Sequence, residues 1–149
     1  MRALPLTETV CSVRGLCSFT NRLTTLLRHG GQTMADQILF IGWDHPVIGR
    51  EQQAMQLFQK SLQYYAKLQS EGKIESFEPV ILAAHGGDLN GFFFIKGDAG
   101  KLAAVQQEEA FMDIVTEARF CIEGFGVISG YIGASLNNVM SRWAKYIGK

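Results

Sequence analysis

The sequence predicts an α+β domain built on one four-stranded antiparallel sheet, with two crossover helices on a single face and a further helix at the C-terminus. Three observations carry this. Apolar runs of strand length alternate with stretches of helical periodicity in the order βαββαβα. A glycine-rich turn cluster joins the second and third runs into a hairpin. Right-handed crossovers then place both connecting helices on the same side of the sheet.

Taken in order, Ile38 to Trp43 is a compact apolar run stopped by Asp44-His45-Pro46, where Pro46 biases His45 away from helix. Gly49 to Glu71 reads as a long amphipathic helix. Ala54, Phe58, Leu62 and Tyr65 form its stripe, Leu57 and Leu68 widen it, and Gly72 is suited to end it with a positive φ. Residues 75–85 form a second strand, and Pro79, lacking a backbone donor, assigns it to a sheet edge or bulge. The cluster from Gly86 to Gly91 turns the chain into a third strand, Phe92 to Lys96. Asp98 is a good N-cap for a helix carrying Leu102 and Val105. A second helical piece has Phe111, Val115, Ala118 and Ile122 on one side, and Phe125 to Ile132 is strand-like. Ser135 can cap a last helix whose Leu136, Met140, Trp143 and Ile147 share a stripe.

Residues 1–33 differ from the rest of the chain. They hold Arg2, Arg14, Arg22 and Arg28 against Glu8, a net of 4 − 1 = +3, leaving 10 − 13 = −3 for the other 116 residues. Such a leader resembles an organelle transit peptide, or Met34 is the true start; both readings leave residues 34–149 as the single domain. Cys11 and Cys17 fall in the leader and are given no chemistry. Overall, 14 basic residues balance 14 acidic ones, which argues against nucleic-acid binding through a broad basic face. The longest mostly apolar stretch, Phe125 to Leu136, is 12 residues and cannot span a bilayer. Three cysteines are too few for a disulfide framework, so a reducing, cytoplasmic setting is expected, or an organelle if the leader is a targeting segment.

The strands are apolar on both sides: Leu39, Ile41 and Trp43 alternate with Ile38 and Phe40, and Phe92 and Phe94 with Phe93 and Ile95. A sheet greasy on two faces must be covered on two. The crossover helices cover one, and the C-terminal helix, a second subunit or both must meet the other.

This pattern resembles the dimeric α+β barrel group of the ferredoxin-like superfamily, which includes antibiotic-biosynthesis-type monooxygenases, muconolactone isomerases and YCII-related proteins. The resemblance runs from Met34 to Ile132. It is carried by a strand ending Trp43-Asp44-His45-Pro46, a long helix ending Leu68-Gln69-Ser70-Glu71-Gly72-Lys73-Ile74, the third strand entering Gly97-Asp98, and a split second helix before Phe125-Gly126-Val127. It implies a homodimer whose two sheets face each other around an apolar cavity for a small organic ligand.

Asp44-His45 is the strongest polar constellation, since a histidine beside a carboxylate is a plausible proton-transfer pair. The plain alternative is an Asx-type turn with His45 exposed. His85 is the third candidate for proton transfer. The first and second strands are expected to run in opposite directions, which would hold His45 and His85 about 20 Å apart along strands of ~3.3 Å per residue, too far for one metal. No metal and no cofactor are expected. Gly124-Phe125-Gly126 brushes the dinucleotide fingerprint, but Ser129 stands where its third glycine belongs. Cys121 reads as a buried small hydrophobe. Trp43, Tyr65, Phe92, Phe94, Ser129 and Tyr131 are candidates for lining a ligand pocket, against the alternative that aromatic stripes are core. Lys96 and Arg119 read as solvated rather than as an anion clamp.

These residues are consistent with three functions of different class: a small dimeric binding protein with an apolar cavity; a cofactor-free monooxygenase or isomerase using a histidine; and a non-catalytic interaction module.

Overall fold

The structure is a computed structural model and describes residues 35–147. The leader, with the boundary at Met34, lies outside the described residues. The element order is β1 (Gln37–Trp43), α1 (Glu51–Ser70), β2 (Ser76–Ile81), β3 (Gly91–Gly97), α2 (Ala99–Gln106), α3 (Glu109–Cys121), β4 (Gly126–Tyr131) and α4 (Gly133–Ala144). The four strands form one sheet in the order β2-β3-β1-β4, every neighbouring pair antiparallel.

Local chemistry explains the elements. Gly72 takes φ +67° just past α1, a conformation that costs a residue without Cβ little. The Asp98 side chain accepts from the Lys101 backbone N–H at 3.1 Å and caps α2. Pro79 sits in β2, which is indeed an edge strand. Three expectations need correction. β2 ends at Ile81, because the chain then leaves for a loop closed by Leu82 N–H donating to Asn90 O at 2.9 Å. Ile132, not Ser135, is the residue that precedes α4; the Ser135 hydroxyl instead donates to Asp36 Oδ2 at 2.9 Å. Finally, β1 and β2 are both antiparallel to the β3 that lies between them, so they run parallel to each other, not in opposite directions.

Register assigns the two faces. Leu39, Ile41 and Trp43 stand with Phe93, Ile95, Phe77 and Val127 beneath the helices. There they join Tyr65 and Leu68 of α1, Leu102 and Val105 of α2, and Phe111 of α3 in the main core. A second cluster, Ala54, Leu57, Ile114, Ala118 and Cys121, packs α1 on α3. Burial pushes the Cys121 thiol above its ordinary value and holds it neutral.

The opposite face carries Ile38, Phe40, Val80, Phe92, Phe94 and Ile128. Phe40 and Phe92 shelter one another with ring centres 4.9 Å apart, yet Ile128 stays 60% exposed. The C-terminal helix does not resolve this. No residue of α4 is buried, and Leu136, Met140 and Trp143 are all exposed, as is Ile147 beyond its end. Among the described residues, no helix is long and apolar enough to cross a membrane.

Candidate functional site

Because β1 and β2 are parallel, their C-terminal ends meet at one end of the sheet, and the N-terminus of α1 and the C-terminus of α3 arrive there too. Between that end of the sheet and the two helices lies a cavity of about 350 Å³. It opens on the helix side of the sheet, within one protomer. Exposed Met55 and Ile81 flank its mouth, together with Pro46 and Ile122. Its wall is mostly apolar and strongly aromatic: Trp43, Phe58, Tyr65, Phe93 and Phe125. Phe58 stacks on Phe93 at 5.5 Å between centres, and Trp43 tilts against Phe93 at 5.1 Å. The Trp43 indole gains its place from Gly91, since a Cβ there would stand 2.6 Å from Trp43 Cζ2.

Four polar side chains reach the wall: Asp44, Glu51, Ser61 and Tyr65. Ser61 is spent on its own helix, donating to Leu57 O at 2.8 Å. Tyr65 is not. It is 1% exposed, and among the described residues its hydroxyl has no hydrogen-bond partner. Tyr65 is nonetheless part of the cavity wall, and no fully enclosed polar atom among the described residues lacks a partner. Burial pushes the Tyr65 pKa upward, so it remains a phenol able to donate. Glu51 accepts from the Gly49 N–H at 3.0 Å, and this bond to the charged form holds its carboxyl below the ordinary range.

Asp44 and His45 form a real pair just beyond the end of β1. His45 Nδ1 lies 2.8 Å from Asp44 Oδ2, while Asn90 Nδ2 donates to Asp44 Oδ1 at 2.6 Å. Backbone bonds fasten this turn to the end of α3: Asp44 N–H to Glu123 O at 3.0 Å, Glu123 N–H to His45 O at 2.8 Å, and Val47 N–H to Cys121 O at 2.9 Å. Gly124, at φ +61°, leaves room for Asp44, which a Cβ would approach to 2.9 Å. The result separates the two side chains. Asp44 is part of the cavity wall and keeps 18% of its side chain exposed; His45 is 51% exposed and stands outside the wall. The hydrogen bond to Asp44, then its charge, raises the His45 pKa; Glu123, with Oε2 3.6 Å from Nε2, adds to it.

The structure gathers only part of the sequence-predicted site. Trp43, Tyr65 and Asp44 line one cavity. Phe92 and Phe94 point from the other face of the sheet. Ser129 and Tyr131 share the helix-side parity but sit exposed on the edge strand β4, away from the wall. Lys96 lies on the open face, 3.5 Å from Glu78 and over the Phe94 ring at 5.4 Å. Arg119 is exposed on α3. His85 does share an end of the sheet with His45, contrary to the opposite-edge expectation. Its ring is nonetheless engaged in its own turn: Nδ1 accepts from Gly87 N–H at 3.1 Å and Nε2 lies 2.7 Å from Leu89 O, which together require the Nε2–H tautomer. Among the described residues, no three histidine, cysteine or acidic side chains gather as a metal site.

Sequence reasoning missed Phe58, Phe93, Glu51 and Ser61. For Phe93 a signal was present: Lys96 and Glu78 fall on the parity of Phe92 and Phe94, which marks that face as the wetter one.

No family model matches the chain, and no curated protein sequence matches it. Among solved structures it is similar to a dimeric protein of unknown function and ferredoxin-like fold from Bacteroides fragilis, with 7% identity and a TM-score of 0.50 over 66% of this chain and 99% of that one. It is also similar to SnoaB, a cofactor-independent oxygenase from Streptomyces nogalater, with 16% identity and a TM-score of 0.42 over 67% of this chain and 94% of that one. The first likeness shows the fold: it is ferredoxin-like.

Proposed function

We propose that the chain is a small-molecule-binding protein whose helix-side cavity holds a compact, largely apolar organic ligand. The observation that carries this is the aromatic cavity of about 350 Å³ whose wall includes Tyr65, a buried residue whose hydroxyl has no hydrogen-bond partner among the described residues. A buried phenol without a partner costs free energy, which an occupant of the cavity that bonds to it would recover, and an apolar pocket with a few polar groups is the usual form of a ligand site. The reading moves the expected cavity from between two sheets to beneath the helices of one protomer. It keeps the homodimer, supported by the half-covered aromatic face of the sheet and by the dimeric state of the B. fragilis protein. A cytoplasmic setting accords with the free, buried thiol of Cys121.

The test is thermal shift against a panel of small aromatic and aliphatic compounds, followed by titration of each hit into Tyr65→Phe. Stabilisation that weakens in the variant supports the reading. A panel without a single stabilising compound counts against it and favours the interaction module.

One geometric fact favours a second reading, cofactor-free proton transfer of the monooxygenase or isomerase type. Asp44 lines the cavity while its partner His45 is half-exposed to solvent, and a 2.8 Å contact joins the two residues. A carboxylate at the wall and an exchangeable imidazole outside it could carry a proton between the pocket and solvent. Turnover or dioxygen uptake on polyphenolic compounds should then fall in Asp44→Asn and in His45→Ala. Activity untouched by both changes would exclude it.

A further inference from the structure

Given a ligand in the helix-side cavity, we propose that its class is an aromatic amine: a flat ring system against the aromatic wall, with a protonated nitrogen at the mouth between Asp44 and Glu51. The inference deepens the binding reading and rests on it.

The charge of the lining is one-sided. Among the described residues, the wall includes two carboxylates and no lysine, arginine or histidine. Glu51 is held ionised by the Gly49 N–H. The nearby bases are committed elsewhere. Arg50 Nη1 donates to Phe120 O at 2.9 Å, and His45 stands outside the wall against Asp44 and Glu123. An anion entering this mouth would meet the like charges of Asp44 and Glu51, and the wall has no cationic side chain to offset them.

Asp44 retains capacity for a further donor. Asn90 occupies one bond on Oδ1 and His45 one on Oδ2, whereas a carboxylate accepts about four hydrogen bonds in all. A ligand filling the mouth would strip water from this carboxylate, whose side chain is already mostly buried. A neutral apolar ligand would leave that loss uncompensated; an ammonium restores it with charge-assisted bonds. Trp43, Phe58 and Phe93, packed on one another in the wall, offer aromatic surface against which a planar ring system fits.

The experiment is calorimetric titration of the full chain with three probes of matched size: naphthylmethylamine, naphthylmethanol and naphthoate. Parallel titrations use Asp44→Asn and Glu51→Gln, the second on an exposed side chain whose loss leaves the core untouched. The amine should bind about tenfold tighter than the alcohol, as one charged hydrogen bond provides. Naphthoate should bind weakest, and each variant should narrow the gap between amine and alcohol. Equal binding of all three, tighter binding of naphthoate, or an amine preference surviving both variants would overturn the amine assignment and leave the cavity reading standing. Absence of binding by all three, together with no hit in the wider panel, would overturn both.

Discussion

Tyr65 and His45 show how differently two polar residues contribute at the same end of one protein. The Tyr65 hydroxyl forms no hydrogen bond among the described residues, so Tyr65→Phe removes none of the bonds that hold those residues together. Chemical denaturation should place the variant within about 1 kcal/mol of the parent. Binding of a ligand that accepts from the phenol should weaken about five- to tenfold, the worth of one neutral hydrogen bond. His45 behaves in the opposite way, since its interest lies in its partner. Its pKa is raised by Asp44, so the charged pair stabilises the fold fully below the unfolded-state value of about 6.5, and this contribution is lost as pH rises through the higher folded value. Proton NMR titration of the imidazole should show that elevation in the parent and its return toward the ordinary value in Asp44→Asn. Unchanged titration in the variant would disprove the coupling. Gly91 is a third case, with packing as the whole issue. An alanine there would put its Cβ 2.6 Å from Trp43 Cζ2 and 2.8 Å from Val80 O. The ring can shift but the backbone oxygen cannot, so Gly91→Ala should cost about 1–3 kcal/mol in urea denaturation and disturb the cavity wall.

At the scale of elements, one side chain that ties several together is Asp36, just before β1. Its Oδ1 accepts from the Ala99 N–H at the start of α2 at 3.1 Å, and its Oδ2 accepts from Ser135 Oγ in the first turn of α4 at 2.9 Å. One carboxylate thus ties β1 to two helices. Asp36→Ala should lower stability by about 1–2 kcal/mol, more than an ordinary exposed substitution, because it leaves a helix-terminal N–H without its acceptor. Hydrogen exchange should show the faster opening concentrated in α2 and α4. No local pattern announces this role, since the partners lie 63 and 99 residues away. The contrast explains which features could be read from the chain. The order of elements, the Asp98 cap, the edge position of β2 and the β2–β3 hairpin depend on neighbours in sequence, and all were legible there. The relative direction of β1 and β2 depends on β3 inserting between them, and an argument from adjacent elements reverses it. The cavity depends on cross-strand register and on where α1 and α3 splay. Of its members, the sequence singles out Trp43, Tyr65 and Asp44, and strand parity puts Phe93 within reach as well.

For the whole molecule, the deciding quantity is the apolar surface that the fold leaves uncovered. Helices α1, α2 and α3 bury one face of the sheet, and α4 buries none of its own residues. Phe40, Phe92, Phe94 and Ile128 therefore form a contiguous apolar face on the protomer, rimmed by Lys96 and Glu78. Flat apolar surface with a polar rim is the form of an interface. Two copies meeting through this face would each supply the layer that the other lacks, and the helix-side cavities would remain open on the outside of the pair. This arrangement separates folding from association. Ile128 is already 60% exposed in the protomer, so Ile128→Glu should leave the helix-side core and its melting behaviour at low protein concentration nearly unchanged. In the dimer the same carboxylate would be buried without a partner, at a cost of several kcal/mol for each copy. Sedimentation equilibrium at micromolar concentration should show a dimer for the parent and a protomer for the variant. Because the cavity lies within one chain, ligand affinity of the dissociated variant should stay within about threefold of the parent, a difference of roughly 0.65 kcal/mol. A parent that sediments as a protomer would remove the interface. A variant that dissociates and also loses the ligand would show that the binding site needs both copies.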